Sequence, residues 1–307
     1  MPSLNAKAIR LFTRATIKRH GLDLDEAVAH MRRQINNNAL PTLLPLGVRA
    51  ERCSIAGING LRVAVKKPRR TLLYFHGGGF VAGRPDTYKN FAGRLAKQLQ
   101  AEVYLPDYRL APEHPYPAPI DDAVACYHWL LSNHVDPSTL AIGGDSAGGS
   151  MTLATLLRLR DEKAPLPAAA FALSPAGHLG CTNPSMDDND HLDDMLSADL
   201  IRRCAEAYAK GQDPSIPYLS PALGEYHDIP PLALAVDENE CLRDGAHDVA
   251  QKMREAGGTV ELISRWGLFH VWPIFTPFIR ESREDTAQIG RFLNRYMNFN
   301  DRLKPAA

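Results

Sequence analysis

From Val48 onward the chain alternates short apolar runs with helix-like segments, and this alternation limits the fold more than any other feature. The runs "VRAERCSI", "LRVAV" and "TLLYF" read as strands, a helix is expected near 87–98, and "AEVYLP" reads as the next strand. A helix near 121–131, the strand "LAIG", a helix from 147 to about 160 and the strand "AAAFAL" continue the series. Strands that alternate with helical segments are joined by crossovers, which predicts an α/β fold: a mostly parallel sheet with helices on both faces. Between 175 and 217 a Gly-, Asn- and Asp-rich stretch, with one helix near 197–210, breaks the pattern. The pattern resumes with "PPLALAV", a helix near 242–256, "VELIS" and a last helix after Pro277.

A chain of 307 residues can form one large α/β domain or two ordinary ones. Because the alternation continues on both sides of the break, residues 46–175 and 218–307 are expected to form one core, with 176–217 as an insertion. Two helical patterns come first. Leu4, Ala8, Leu11 and Ala15 form an apolar stripe beside a basic one of Lys7, Arg10, Arg14 and Lys18. Leu24, Val28, Met31 and Ile35 then recur at helical spacing until "NNNALPTLLP" stops them. Residues 1–45 therefore read as a lid or packing arm, and the basic stripe as a solvated helix face rather than a membrane-surface helix.

Charge and cysteine usage narrow the partners. Lys plus Arg and Asp plus Glu number 35 each, so no electrostatic footprint calls for nucleic acid or an anionic membrane. The five cysteines lack C-x-x-C or zinc-type spacing, which fits a reduced, cytoplasmic setting. There is no signal-peptide pattern and no run of 18 apolar residues, so no stable membrane insertion is expected. A small neutral molecule is the default partner, and assembly into a homodimer is left open.

"LAIG" runs directly into "GDSAGG", residues 144–149, and then into a helix. A serine between glycines could merely cap that helix. The order of strand, sharp turn and helix is, however, the context of a nucleophile elbow, G-x-S-x-G, with Ser146 as the nucleophile. A serine hydroxyl needs a base to take its proton and an acid to orient that base. Of the eleven histidines only His247 and His270 lie beyond Pro231. His247 falls inside an expected helix, whereas His270 sits in "SRWGLFHVWP", on a loop directly after the strand "VELIS". The acid must come from "VDENECLRDGA", where Asp244 fits a helix N-terminus and Asp237 and Glu240 both remain in contention. His76-Gly77-Gly78-Gly79, at the end of "TLLYF", lacks phosphate-loop spacing and matches the glycine loop that offers bare amides to an oxyanion. His76 is expected to orient that loop, and Glu113, Asp121 and Asp122 to hold loops or cap a helix. The acidic stretch 187–194 lacks the glycine of a calcium loop and reads as solvated.

Taken together, "HGGGF", "DYRLAPEHPYPAPIDDA", "GDSAGG" and "LRDGA…H" resemble the hormone-sensitive-lipase-like family of α/β-hydrolases, over about 72–270. The resemblance implies a serine carboxylesterase of short- to medium-chain acyl esters, with a cap built from residues 1–45 and 176–217. It makes Ser146 the nucleophile and His270 the base, and gives the oxyanion hole to the amides of Gly78, Gly79 and Ala147. Leu242-Arg243-Asp244 matches the end of the family's Asp-Pro-Leu-Arg-Asp, which puts Glu240 where Asp is usual and favours it over Asp237. The family's His-Gly-Phe reads His270-Val271-Trp272 here. Phe80, Trp266 and Trp272 are expected near the pocket, and with the resemblance they favour C4 to C8 acyl chains. No metal and no organic cofactor is called for. The rivals are an amidohydrolase on the same machinery, such as an arylformamidase, and a non-catalytic small-ligand receptor.

Overall fold

A computed structural model describes residues 2–37 and 44–299. Residues 38–43, within the stretch expected to stop the second helix, lie outside the described residues, as do 300–307 at the end of the expected core. Among the described residues, eight strands form one sheet: β1 Val48–Ile55, β2 Ile58–Val65, β3 Arg70–Phe75, β4 Ala101–Pro106, β5 Leu140–Asp145, β6 Ala169–Leu173, β7 Leu232–Asp237 and β8 Val260–Arg265. Their spatial order is β1-β2-β4-β3-β5-β6-β7-β8. β1 and β2 make an antiparallel hairpin, β2 pairs antiparallel with β4, and every later pairing is parallel. Every residue of β3, β5, β6 and β7 is buried, as befits strands covered on both faces.

The helices are α1 Leu4–Thr16, α2 Leu24–Asn37, α3 Pro85–Leu99, α4 Ala118–Ser132, α5 Ala147–Asp161, α6 Pro184–Asp188, α7 Ala198–Ala209, α8 Arg243–Glu255 and α9 Arg280–Tyr296. α6 has no counterpart among the helices expected from sequence, because its five residues are too few to show a period. α6 and α7 lie between β6 and β7, and α1 and α2 precede the sheet.

The orientation of α1 reverses the sequence reading. Leu4 and Leu11 are 82% and 71% exposed, and Ala6 and Thr13 are the residues that α1 buries. The basic stripe supplies the anchors instead. Arg10 and Arg14 pair with Asp194, and the Lys18 ammonium donates to the carbonyls of Asp190 and Asp193. Charge complementarity with the 187–199 segment thus outweighs the weak apolar stripe, and the acids read as solvated are partly engaged by α1.

The parallel strands all end at one edge of the sheet, so the loops carrying His76, Ser146, Ser174, Glu240 and His270 converge there. At its centre α5 comes down almost onto β3. A Cβ on Gly148 would lie 2.0 Å from the Phe75 carbonyl oxygen, and one on Gly144 would lie 2.4 Å from that of Gly148. Both neighbours are backbone, so neither can move aside cheaply. Gly149 meets nothing closer than 3.3 Å. We expect Gly148→Ala to cost about 2–3 kcal/mol through overpacking. Gly149→Ala should be nearly neutral, because the gain in helix propensity of about 1 kcal/mol offsets a tight contact. Urea unfolding followed by circular dichroism checks the pair, and equal losses would contradict the close approach.

Candidate active site

Ser146 sits at the first turn of α5 with φ 54° and ψ −122°, a conformation that is strained for a residue bearing a Cβ. The strain is held from two sides. The Ser146 amide donates to the Leu173 carbonyl at 2.7 Å, and Gly144 and Gly148 allow the backbone to turn without a clash. The hydroxyl is thereby lifted off the end of β5 towards the loop after β8.

On that loop, His270 Nε2 accepts from Ser146 Oγ at 2.8 Å, and His270 Nδ1 donates to Glu240 Oε2 at 2.7 Å. An ionised carboxylate only accepts, so this contact fixes the proton on Nδ1 and leaves Nε2 free to receive one. Glu240 Oε1 accepts from Ser174 Oγ at 2.8 Å and from the Asp237 amide at 2.9 Å. Asp237 does not occupy that position. It is buried below the loop, where its carboxylate accepts from the amides of Leu268 at 2.7 Å and Asn239 at 3.1 Å. Burial pushes its pKa up to about 7, with the charge of Glu240 acting in the same direction.

Ser174 escaped the sequence reading. It lies directly after β6 with φ 44°, and its hydroxyl also accepts from the Val271 amide at 3.2 Å. One side chain therefore ties the Glu240 loop to the His270 loop. The available signal was topological: a serine at the carboxyl end of a core strand, beside the strand that carries Ser146. Asp193 was missed as well. It is buried, accepts from the amides of Met195, Leu196 and Cys241, and so joins the inserted segment to the residue after Glu240.

The glycine loop is pinned from beneath. The Gly77 amide donates to Asp145 Oδ1 at 3.0 Å and reaches Tyr88 Oη at 3.2 Å, while the Tyr74 and Tyr88 hydroxyls donate to the same carboxylate. His76 is fully buried, stacks on Tyr108 at 4.3 Å and has its pKa lowered by burial to about 4, so it stays neutral. Gly78, at φ 131°, would place a Cβ 2.0 Å from the Ala82 carbonyl oxygen. From α2, Arg32 donates to the carbonyls of Val81 and Ala111 and grips Glu113, whose pKa the Arg32 hydrogen bond lowers to about 2. Gly78 lines a large cavity together with Ser146, and Gly79 and Ala147 line a small one.

Other expected residues stand elsewhere. His247 pairs with Glu238 at 2.8 Å, Asp244 accepts from the Ser185 amide at the start of α6, and Asp122 binds Arg109. Phe80 does reach the site, stacked face to face on Tyr208 at 3.8 Å in the wall of the small cavity. Trp266 does not, being 71% exposed, and Trp272 is buried with its indole donating to Asp285 at 2.8 Å. Arg265 grips the same carboxylate, which steadies the loop between them.

Burial disfavours the imidazolium of His270, yet its pKa is raised from the ordinary 6.5 by Glu240, through charge and hydrogen bond, and by the charges of Asp193 and Asp145. We expect the His270 ring protons to titrate above 6.5 by NMR. Asp193→Asn, which removes one negative charge, should move the midpoint to lower pH. A midpoint at or below the ordinary value, or one that Asp193→Asn moves upward, would contradict this electrostatic picture.

A family model described as alpha/beta hydrolase fold matches residues 72–274. An acetyl-hydrolase of Streptomyces hygroscopicus is 38% identical over 224 residues, covering 73% of this chain and 75% of that protein. A carboxylesterase of Mycobacterium tuberculosis is 31% identical over 264 residues, 81% of this chain and 82% of that protein. A crystal structure of an esterase from the bacterial hormone-sensitive lipase family aligns with a TM-score of 0.88 at 31% identity, over 97% of this chain and 100% of that one. With a family model covering residues 72–274 and relatives matching along most of its length, the chain belongs to the hormone-sensitive-lipase-like family of α/β-hydrolases.

Proposed function

We propose that the chain is a carboxylic ester hydrolase working by two-step acyl transfer, with Ser146 as nucleophile, His270 as base and Glu240 as the acid that orients it. The observation that carries this reading is the unbroken hydrogen-bonded chain Ser146 Oγ, His270, Glu240, set on a strained turn beside a glycine loop. Ser146 Oγ bonds to the ester carbonyl carbon while its proton passes to His270 Nε2. The amides of Gly78, Gly79 and Ala147 hold the resulting oxyanion, which is where preorganised donors lower a barrier most. The carbon–alkoxy bond then breaks, and His270 returns the proton to the departing alcohol oxygen. Water, deprotonated by His270, cleaves the acyl-enzyme by the reverse sequence.

Glu240 keeps the proton on Nδ1 and stabilises the imidazolium that forms in each step. Residues 1–45 and 176–217 act as a cap: α1, α2, Met195 and Leu196 contribute to the wall of the large cavity that opens on Ser146. The acids of the preferred esters are short- to medium-chain.

Ser146→Ala should remove nearly all turnover, on the order of 10⁶ in kcat, with the fold intact by circular dichroism. A serine-directed phosphonate should modify Ser146 alone, as one labelled peptide in mass spectrometry. Substantial residual activity, or labelling elsewhere, would end this reading.

Glu240→Gln keeps the size of the side chain but not its charge. The corresponding change in serine protease triads costs roughly 10⁴ in kcat. Asp237→Asn should be far milder, because that carboxylate touches backbone amides of the loop and not the imidazole. With both variants folded, a reversal of this ranking at neutral pH would transfer the role to Asp237.

A further inference from the structure

Glu240 sits on the turn between β7 and α8, and the main chain of that turn is gripped by a segment some fifty residues earlier in the chain. The side-chain amide of Asn189 donates to the Glu238 carbonyl at 2.9 Å and to the Glu240 carbonyl at 2.8 Å. Two carbonyl oxygens can be met only by an NH2 group, so both side-chain donors of Asn189 are committed to this one turn. Asn189 is the residue that ends α6, and it is 4% exposed. The inserted segment continues the grip at the next residue, Cys241. The Ser185 hydroxyl donates to the Cys241 carbonyl at 2.8 Å, and Asp193 Oδ2 accepts from the Cys241 amide at 3.1 Å.

The turn's own bonds run along the chain. The Glu240 amide donates to the Asp237 carbonyl at 3.0 Å, and the Glu240 carbonyl also receives the Arg243 amide at 3.2 Å. Those contacts shape the turn, whereas the Asn189 amide ties it to the insertion. Without that amide the Glu238 and Glu240 carbonyls each lose a donor. A buried acceptor short of a partner is costly, so the turn would shift to find another and carry the carboxylate with it. Asn189 is absent from the linings of both cavities beside Ser146, so it has no part in holding substrate.

We propose that Asn189 is a positioning residue for the acid of the triad: it fixes the place of the Glu240 carboxylate, and through it the direction of the His270 imidazole. The proposal rests on the acyl-transfer reading above, with Glu240 as the acid. The inserted segment then serves the chemical step as well as walling the large cavity. His270 works in both acylation and deacylation, so a misplaced acid slows the two steps together and leaves KM almost unchanged. A displacement of about 1 Å can cost roughly a hundredfold in rate, and that sets the scale of the effect.

The test is a double-mutant cycle of wild type, Asn189→Ala, Glu240→Gln and the combined variant, with p-nitrophenyl butyrate as substrate and folding checked by circular dichroism. We expect Asn189→Ala to lower kcat by roughly ten- to a hundredfold. KM should stay within about twofold, because no substrate contact is removed. In the Glu240→Gln background the acid's function is already gone, so the same substitution should lower kcat by less than about threefold. A merely structural role would instead multiply kcat by the same factor in both backgrounds. Asn189→Ser, whose shorter side chain cannot span both carbonyls, is read in the same way if Asn189→Ala does not fold. A folded Asn189 variant with wild-type kcat, a loss confined to KM, or equal losses in the two backgrounds would overturn the proposal. Failure of the wild type to cleave the ester, or near-normal kcat in Glu240→Gln, would overturn the acyl-transfer reading with Glu240 as its acid, so the two failures are distinguishable.

Discussion

The carboxylate of Glu240 is 1% exposed and accepts from His270, Ser174 and the Asp237 amide. An ionised carboxylate so far from water is tolerable only with its lone pairs engaged and a positive partner within reach. The protein meets that demand with groups from three loops at one edge of the sheet, after β6, β7 and β8. Two more acids stand nearby. Burial is the largest influence on Asp237 and Asp193, and it raises both pKa values, with the charge of Glu240 adding to each. That charge in turn raises the pKa of His270, whose buried imidazolium it stabilises.

The cap elements are connected to this centre by directed contacts. Lys18 of the arm donates to the carbonyls of Asp190 and Asp193, and the Asp193 side chain receives the Cys241 amide next to Glu240. Arg32 and Asn36 of α2 hold the glycine loop through the Val81 carbonyl and the Gly83 amide. The same segments that wall the large cavity thus also brace the acid loop and the glycine loop. Geometry at Ser146 and access to it are set by shared parts.

Much of this was legible in the sequence, for identifiable reasons. Ser146 announces itself because its motif lies between an apolar strand and a helix. His270 stands out because it follows a strand rather than sitting within a helix, as His247 does. Asp237 ends β7 and Glu240 lies three residues further on, in the loop after it, and only the packing of Ser174 and His270 selects between them. Family resemblance favoured Glu240 where spacing left both acids open. Ser174 was invisible because a positive φ and two long-range hydrogen bonds leave no local trace. The outward turn of α1 was unreadable because its burial is decided by Asp194 and two carbonyls far along the chain. Trp266 misled because Leu268, Phe269 and His270, which follow it closely, are buried while its own side chain is exposed.

The central claim is that one strained serine, one buried imidazole–carboxylate pair and a glycine loop together form a site shaped for a tetrahedral oxyanion. A crystal structure of the protein after reaction with a methylphosphonate ester tests it most directly, because the adduct imitates that intermediate. The account predicts phosphorus bonded to Ser146 Oγ, with the phosphoryl oxygen about 2.7–3.1 Å from the amides of Gly78, Gly79 and Ala147. Phosphorus on another residue, or a phosphoryl oxygen turned away from those three amides, would contradict it.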